Sequence, residues 1–104
     1  MASKVRFFVF CVLSKRVSTA EDYWQKIITI KHPSMAGRDA EVQQTLTDAD
    51  EVRESRSAPQ VKLYYRQYDN LYLYVVVKHL NGSGFIVTTY FTDRIKEGIT
   101  LWTR

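Results

Sequence analysis

Histidine occurs twice in this chain, at positions 32 and 79, and His32 is the natural starting point for chemistry. It stands between Lys31 and Pro33, where a helix must end because the proline ring disfavours helical backbone at the residue before it. An imidazole with an ordinary pKa of about 6.5 can move protons at neutral pH. The residues that could serve it are cations and hydroxyls rather than metal ligands. Arg66 can grip a phosphate as a bidentate fork, and Lys78 can place a point charge at a developing negative centre. Thr88, Tyr90 and Thr92 can donate hydrogen bonds to phosphate or ribose, while Tyr64 or Tyr74 can stack on a base. Such a set suffices to cleave RNA. A base removes the 2′-OH proton, cations stabilise the crowded phosphate, and an acid protonates the leaving 5′-oxygen.

Neither histidine has cysteine or carboxylate partners at ligand spacing, so no metal and no cofactor is expected. The acid that a restriction-type nuclease centre would want two residues before Lys78 is replaced by Val76. Cys11 is the only cysteine and sits in an apolar run, where burial would keep it a thiol; no intramolecular disulfide can form, which fits a reducing, cytoplasmic setting. The run from Val5 to Leu13 is broken by Arg6 and too short to span a bilayer, so no membrane partner is expected. A formal net charge of +4, with acids concentrated between Asp39 and Glu54, leaves the tyrosine-rich half distinctly basic and suggests a polyanionic partner.

The elements that must position these residues read as follows. Lys4 to Leu13 forms a strand that is apolar on both sides, implying burial on two faces or a covered edge. Ser18-Thr19-Ala20-Glu21 reads as a capping box opening a helix that places Trp24, Ile27, Ile28 and Lys31 on one stripe and stops at His32. Arg38 to Thr47 gives a second helix with Val42, Leu46 and Ala49 at helical spacing. Strands follow at Val52 to Arg56 and Val61 to Tyr68, with Asp69-Asn70 as a reversal. Two longer runs flank Asn81-Gly82-Ser83-Gly84, a hairpin signal. Asp93 to Gly98 reads as a helical turn and Ile99 to Trp102 as a last edge strand.

A three-residue hairpin loop would set Lys78 opposite Ile86, Val76 opposite Thr88, Tyr74 opposite Tyr90 and Tyr72 opposite Thr92, all on one face. Leu73, Val75 and Val77 then line the other face, the core. Leu63 and Tyr65 are expected on the core face, and Tyr64 and Arg66 with Lys78 on the polar one. His79 falls on the apolar side and reads as structural. At 104 residues the chain forms one domain, residues 1–104. The fold class is α+β: an N-terminal strand and two helices packed on one face of a three- to five-stranded antiparallel sheet.

Several segments together resemble the barnase, EndoU, colicin and RelE-like nuclease superfamily, in its branch of short phage and bacterial domains. They are Trp24 with Ile28 and Lys31-His32-Pro33; Asp50 to Ser55, DEVRES; Leu63-Tyr64-Tyr65-Arg66; Val75 to Lys78; and Gly84 to Tyr90 followed by Thr92-Asp93. The likeness covers about residues 19–96. It implies a metal-independent ribonuclease, often a toxin with an inhibitory protein partner, and makes His32, Arg66, Lys78, Thr88 and Tyr90 the site. Two other readings stand beside it. The tyrosine and cation face could grip nucleic acid or an acidic protein without turnover, or it could be a dimer interface.

Overall fold

The computed structural model describes residues 4–95 and 98–104. The chain is α+β, two helices against a seven-stranded, mixed and mostly antiparallel sheet. In order it forms β1 (Val5–Phe10), β2 (Arg16–Ala20), α1 (Glu21–Lys26), α2 (Asp39–Thr47), β3 (Glu51–Glu54), β4 (Val61–Tyr68), β5 (Leu71–His79), β6 (Ser83–Thr92) and β7 (Ile99–Thr103). The strands lie in the order β1-β2-β6-β5-β4-β3-β7. The sheet is therefore larger than expected, and β1 joins it as an edge strand instead of packing on its face. All neighbours are antiparallel except β2 and β6, which run parallel through Arg16, Val17 and Ser18 beside Ser83, Gly84 and Phe85.

Ser18 does not cap a helix. It is paired with Phe8 on one side and Phe85 on the other, and α1 begins at Glu21 without a side-chain cap. Sheet pairing on both sides of Arg16, Val17 and Ser18 overrides the local capping signal. Beyond Lys26 the helix widens into a π-helical turn, Ile27–Lys31, closed by a bond from the His32 N–H to the Ile27 carbonyl. The run Ile27-Ile28-Thr29-Ile30 is β-branched throughout, which weakens regular α-helix and makes this a natural place for the wider turn. A 3-10 turn, Pro33–Met35, follows.

The helices cover one face of the sheet. Trp24 and Ile27 from the first helical stretch, Met35, and Val42 and Leu46 from α2 pack on Val17, Val52, Tyr64, Leu73, Val75, Val77 and Ile86, all buried. Leu63, Tyr65 and Tyr74 form a separate buried cluster on the opposite, open face, joined by Val61, Tyr72, Val76, Tyr90 and Ile95.

That division corrects the expected sidedness of β4. The Asp69-Asn70 reversal brings Tyr68 opposite Leu71, so Tyr65 meets Tyr74 and Tyr64 meets Val75. A strand's side chains alternate strictly, so this register sends Tyr64 and Arg66 under the helices and Leu63 and Tyr65 to the open face, the reverse of expectation. The β5–β6 register is as expected for Tyr72 with Thr92, Tyr74 with Tyr90 and Val76 with Thr88. Beyond that point a bulge at Val87 shifts it, and Lys78 lies opposite Phe85 instead of Ile86. Asp93 and Arg94 form a bend rather than a helical turn, and the rest of that expected turn includes Lys96 and Glu97, which lie outside the described residues.

Candidate functional site

The open face carries a row of side chains that crosses four strands. Pairing sets Glu51 of β3 beside Tyr65 of β4, Tyr65 beside Tyr74 of β5, and Tyr74 beside Tyr90 of β6. Ring centroids are 4.8 Å apart for Tyr65 and Tyr74 and 4.9 Å for Tyr74 and Tyr90. At the β6 end the row is completed by His32, stacked on Tyr90 with centroids 4.7 Å apart and planes 30° from parallel. Among the described residues the half of β6 beyond Phe85 pairs with β5 on one side and has no strand on the other, since β2 leaves at Ser18. The π turn and the proline stop carry the chain past that edge, and His32 reaches the open face.

The phenols in the row act on one another. Burial, followed by the neighbouring Tyr65 and Tyr90 and the hydrogen bond with Tyr65, pushes the Tyr74 phenol upward, so it remains a protonated donor throughout the physiological range. The His32 imidazole is pushed below its ordinary value, first by burial and then by the charge on Lys31. It is therefore neutral at pH 7 and able to accept a proton.

The next row holds Arg53 of β3, Leu63, Val76 and Thr88. Arg53 donates from Nε to Glu51, whose carboxylate also accepts from the Thr100 hydroxyl at 3.3 Å. The Thr88 hydroxyl is buried and has no hydrogen-bond partner among the described residues. Lys78 and Thr92 share this face but lie at opposite ends of it. At about 3.4 Å per residue, Lys78 sits roughly 14 Å along β5 from Tyr74. Lys78 is therefore remote from the His32–Tyr90 corner. Thr92 lies opposite Tyr72 and its hydroxyl pairs with the Arg94 backbone at 3.3 Å.

Tyr64 and Arg66 are not part of this arrangement. Tyr64 is fully buried on the helix-covered face, its hydroxyl donating to Cys11 Sγ at 2.9 Å and lying 2.9 Å from His79 Nε2. Burial, then Lys62 and Lys15, hold His79 down at about 4, so this half-buried ring is neutral at pH 7 and shares the hydroxyl without charge. Arg66 donates to the Asp48 carbonyl at 2.6 Å and to its carboxylate at 3.1 Å, a cation closing the C-terminal end of α2. Replacing Arg66 with Met is expected to lower stability by about 1–2 kcal/mol, the scale of a lost charged hydrogen bond. The same change should leave the chemistry of the open face untouched, and comparing urea melts with activity checks both.

Sequence reasoning missed Arg53, Glu51 and Tyr65. The available signal was the spacing Glu51-Val52-Arg53, in which Val52 is the buried residue and its neighbours must face the other way. Among the described residues no group of three or more His, Cys, Asp or Glu is placed to hold a metal, and no helix is long and apolar enough to cross a membrane. No family model, curated protein or solved structure matches this chain.

Proposed function

We propose that the open face is a metal-independent ribonuclease site, centred where His32 meets Tyr90. The observation that carries this reading is the stack of His32 on Tyr90, which sets a neutral imidazole at the end of a row of phenol donors on a basic domain. In the proposed mechanism His32 takes the proton from a ribose 2′-OH. The oxygen attacks the adjacent phosphorus and the bond to the 5′-oxygen breaks; that oxygen takes a proton from water, giving the 2′,3′-cyclic phosphate and a free 5′-hydroxyl, and the His32 imidazolium returns its proton to solvent. The Tyr74 and Tyr90 hydroxyls donate to the non-bridging oxygens, while the Thr88 hydroxyl, being buried, does not reach the substrate. Arg53 contributes positive charge on one side and Lys78 holds the next phosphate. An acidic inhibitory protein that covers this face would silence a toxin of this kind.

The test is incubation of end-labelled single-stranded RNA with the purified protein at neutral pH in EDTA. Cleavage leaving 2′,3′-cyclic phosphate ends is expected, with 2′-O-methyl RNA resistant. RNA left intact under these conditions overturns the reading. A second reading, binding without turnover, is favoured by the pairing of Arg53 with Glu51, which engages the nearest cation of the row. It predicts salt-sensitive RNA binding and no cyclic phosphate.

A further inference from the structure

The open face extends well beyond the proposed site, toward the β1 edge, and its character changes there. Phe8, Phe10 and Phe85 are 50%, 63% and 39% exposed, an unusual concentration of aromatic surface for a domain of this size. All three point to the open face. Phe8 and Phe10 alternate with Phe7 and Val9, which pack toward the core, and Phe85 precedes the buried Ile86. Strand pairing gathers them: Phe8 lies beside Ser18, Ser18 beside Phe85, and Phe85 beside Lys78, while Phe10 lies beside Arg16. The Arg16 guanidinium covers one side of the Phe8 ring, 4.4 Å from its centroid, and Phe8 meets Phe10 edge to face at 6.3 Å.

Rings that are flat, exposed and interleaved with cations suit a strand whose bases are unpaired and whose backbone is anionic. Each base has a π-face to stack on phenylalanine, and Arg16 and Lys78 face the phosphates. Beside Phe85, a cleft of about 300 Å³ opens where β2 parts from β6. Phe85, Ser18, Tyr23 and Asp22 border it. Thr19 lines the same cleft, is almost fully buried, and has a hydroxyl without a partner among the described residues. Lys78 links the two regions, since it neighbours Phe85 on one side and the Val76–Thr88 row on the other.

We infer that Phe8, Phe10, Phe85 and Arg16 form a stacking platform for the single-stranded RNA flanking the scissile phosphate, with Lys78 on the connecting phosphate. This rests on the ribonuclease reading for its location, and it adds a substrate class: unpaired RNA several nucleotides long, in preference to duplex or dinucleotide. The charge of the patch favours this occupant over a second copy of the chain, which would bring Arg16 and Lys78 against their own equivalents.

The experiment uses a fluorescein-labelled 2′-O-methyl oligouridine 12-mer, which cannot be cleaved by 2′-OH attack, and measures anisotropy against salt. The double variant Phe8→Ser with Phe10→Ser should bind roughly tenfold to a thousandfold more weakly, at a cost of about one to two stacked bases. Arg16→Gln should flatten the salt slope by close to one phosphate contact, about 0.7. In parallel, kcat/KM for a long RNA should fall in the double variant relative to that for a dinucleoside phosphate. Wild-type affinity in the double variant overturns the platform, and does so even if RNA is cut. Phe-dependent binding in a protein that cuts neither substrate supports the platform and counts against the ribonuclease reading alone. Sedimentation that shows a salt-insensitive dimer, lost in the double variant, overturns the platform in favour of self-association.

Discussion

His32→Ala is expected to reduce RNA cleavage by about 10²- to 10⁴-fold, the usual range for loss of a positioned general base. The cause is specific: the only imidazole on the open face among the described residues is the one stacked on Tyr90, and the other, His79, is held beneath the opposite face by Tyr64. In the proposed mechanism the same residue sets the acid limb of the pH profile. Burial and Lys31 depress its pKa, so the neutral, proton-accepting form persists below the ordinary histidine value. The acid limb of log kcat/KM should therefore lie at lower pH than an ordinary imidazole would give. Lys31→Gln removes a repelling charge, so the limb should move upward. Activity in His32→Ala within a factor of about three of wild type, or a limb that ignores Lys31, would sink the assignment. His32→Ala should melt within about 1 kcal/mol of wild type, since the ring is only partly enclosed.

The largest expected effect on stability belongs to Trp24→Ala, at about 3–5 kcal/mol. Trp24 is fully buried, and its ring meets Phe7 of β1 edge to face at 5.4 Å. One side chain thus ties the first helical stretch to the sheet edge. For a domain whose whole stability is on the order of 5–15 kcal/mol, its removal takes a large share. The indole N–H has no partner among the described residues, so Trp24→Phe keeps most of the packing and sacrifices no hydrogen bond. It should cost clearly less than the alanine variant. Equal losses in urea unfolding for the two variants would show that volume is not what Trp24 supplies. Because the same helix ends at His32, the alanine variant should also lose activity near its melting transition before the sheet itself unfolds.

The parts of this architecture legible in the sequence were those with local causes. Pro33 stops the helix at His32, the Asn81-Gly82 reversal makes the β5–β6 hairpin, and Val61 to Tyr68 is a strand from end to end. The meeting of Tyr74 with Tyr90 and of Val76 with Thr88 followed from counting across that hairpin. What escaped depended on one-residue steps or on distant partners. The side on which Tyr64 and Arg66 fall turns on how many residues the Asp69-Asn70 turn consumes, and amphipathic tyrosines do not reveal it. The apolar alternation of β1 looked like burial on both faces, yet Phe8 and Phe10 are exposed because no element among the described residues covers that part of the open face. Arg53 belonged to a four-residue strand whose alternation about the apolar Val52 was its one orienting signal.

The parallel ladder between β2 and β6 has a consequence for the order in which the molecule assembles. Strands β4, β5 and β6 are consecutive and joined by short turns, so their pairing closes small loops. Joining Arg16 to Ser83 instead closes a loop of most of the chain, and that entropy is lost before any of its contacts is gained. The meander that bears Tyr65, Tyr74 and Tyr90 can thus form early, while the flank bearing Phe8 and Phe10 docks late. Until it does, the upper part of β6 is a bare sheet edge, and crowding of nascent chains is the condition under which this protein is most exposed to mispairing.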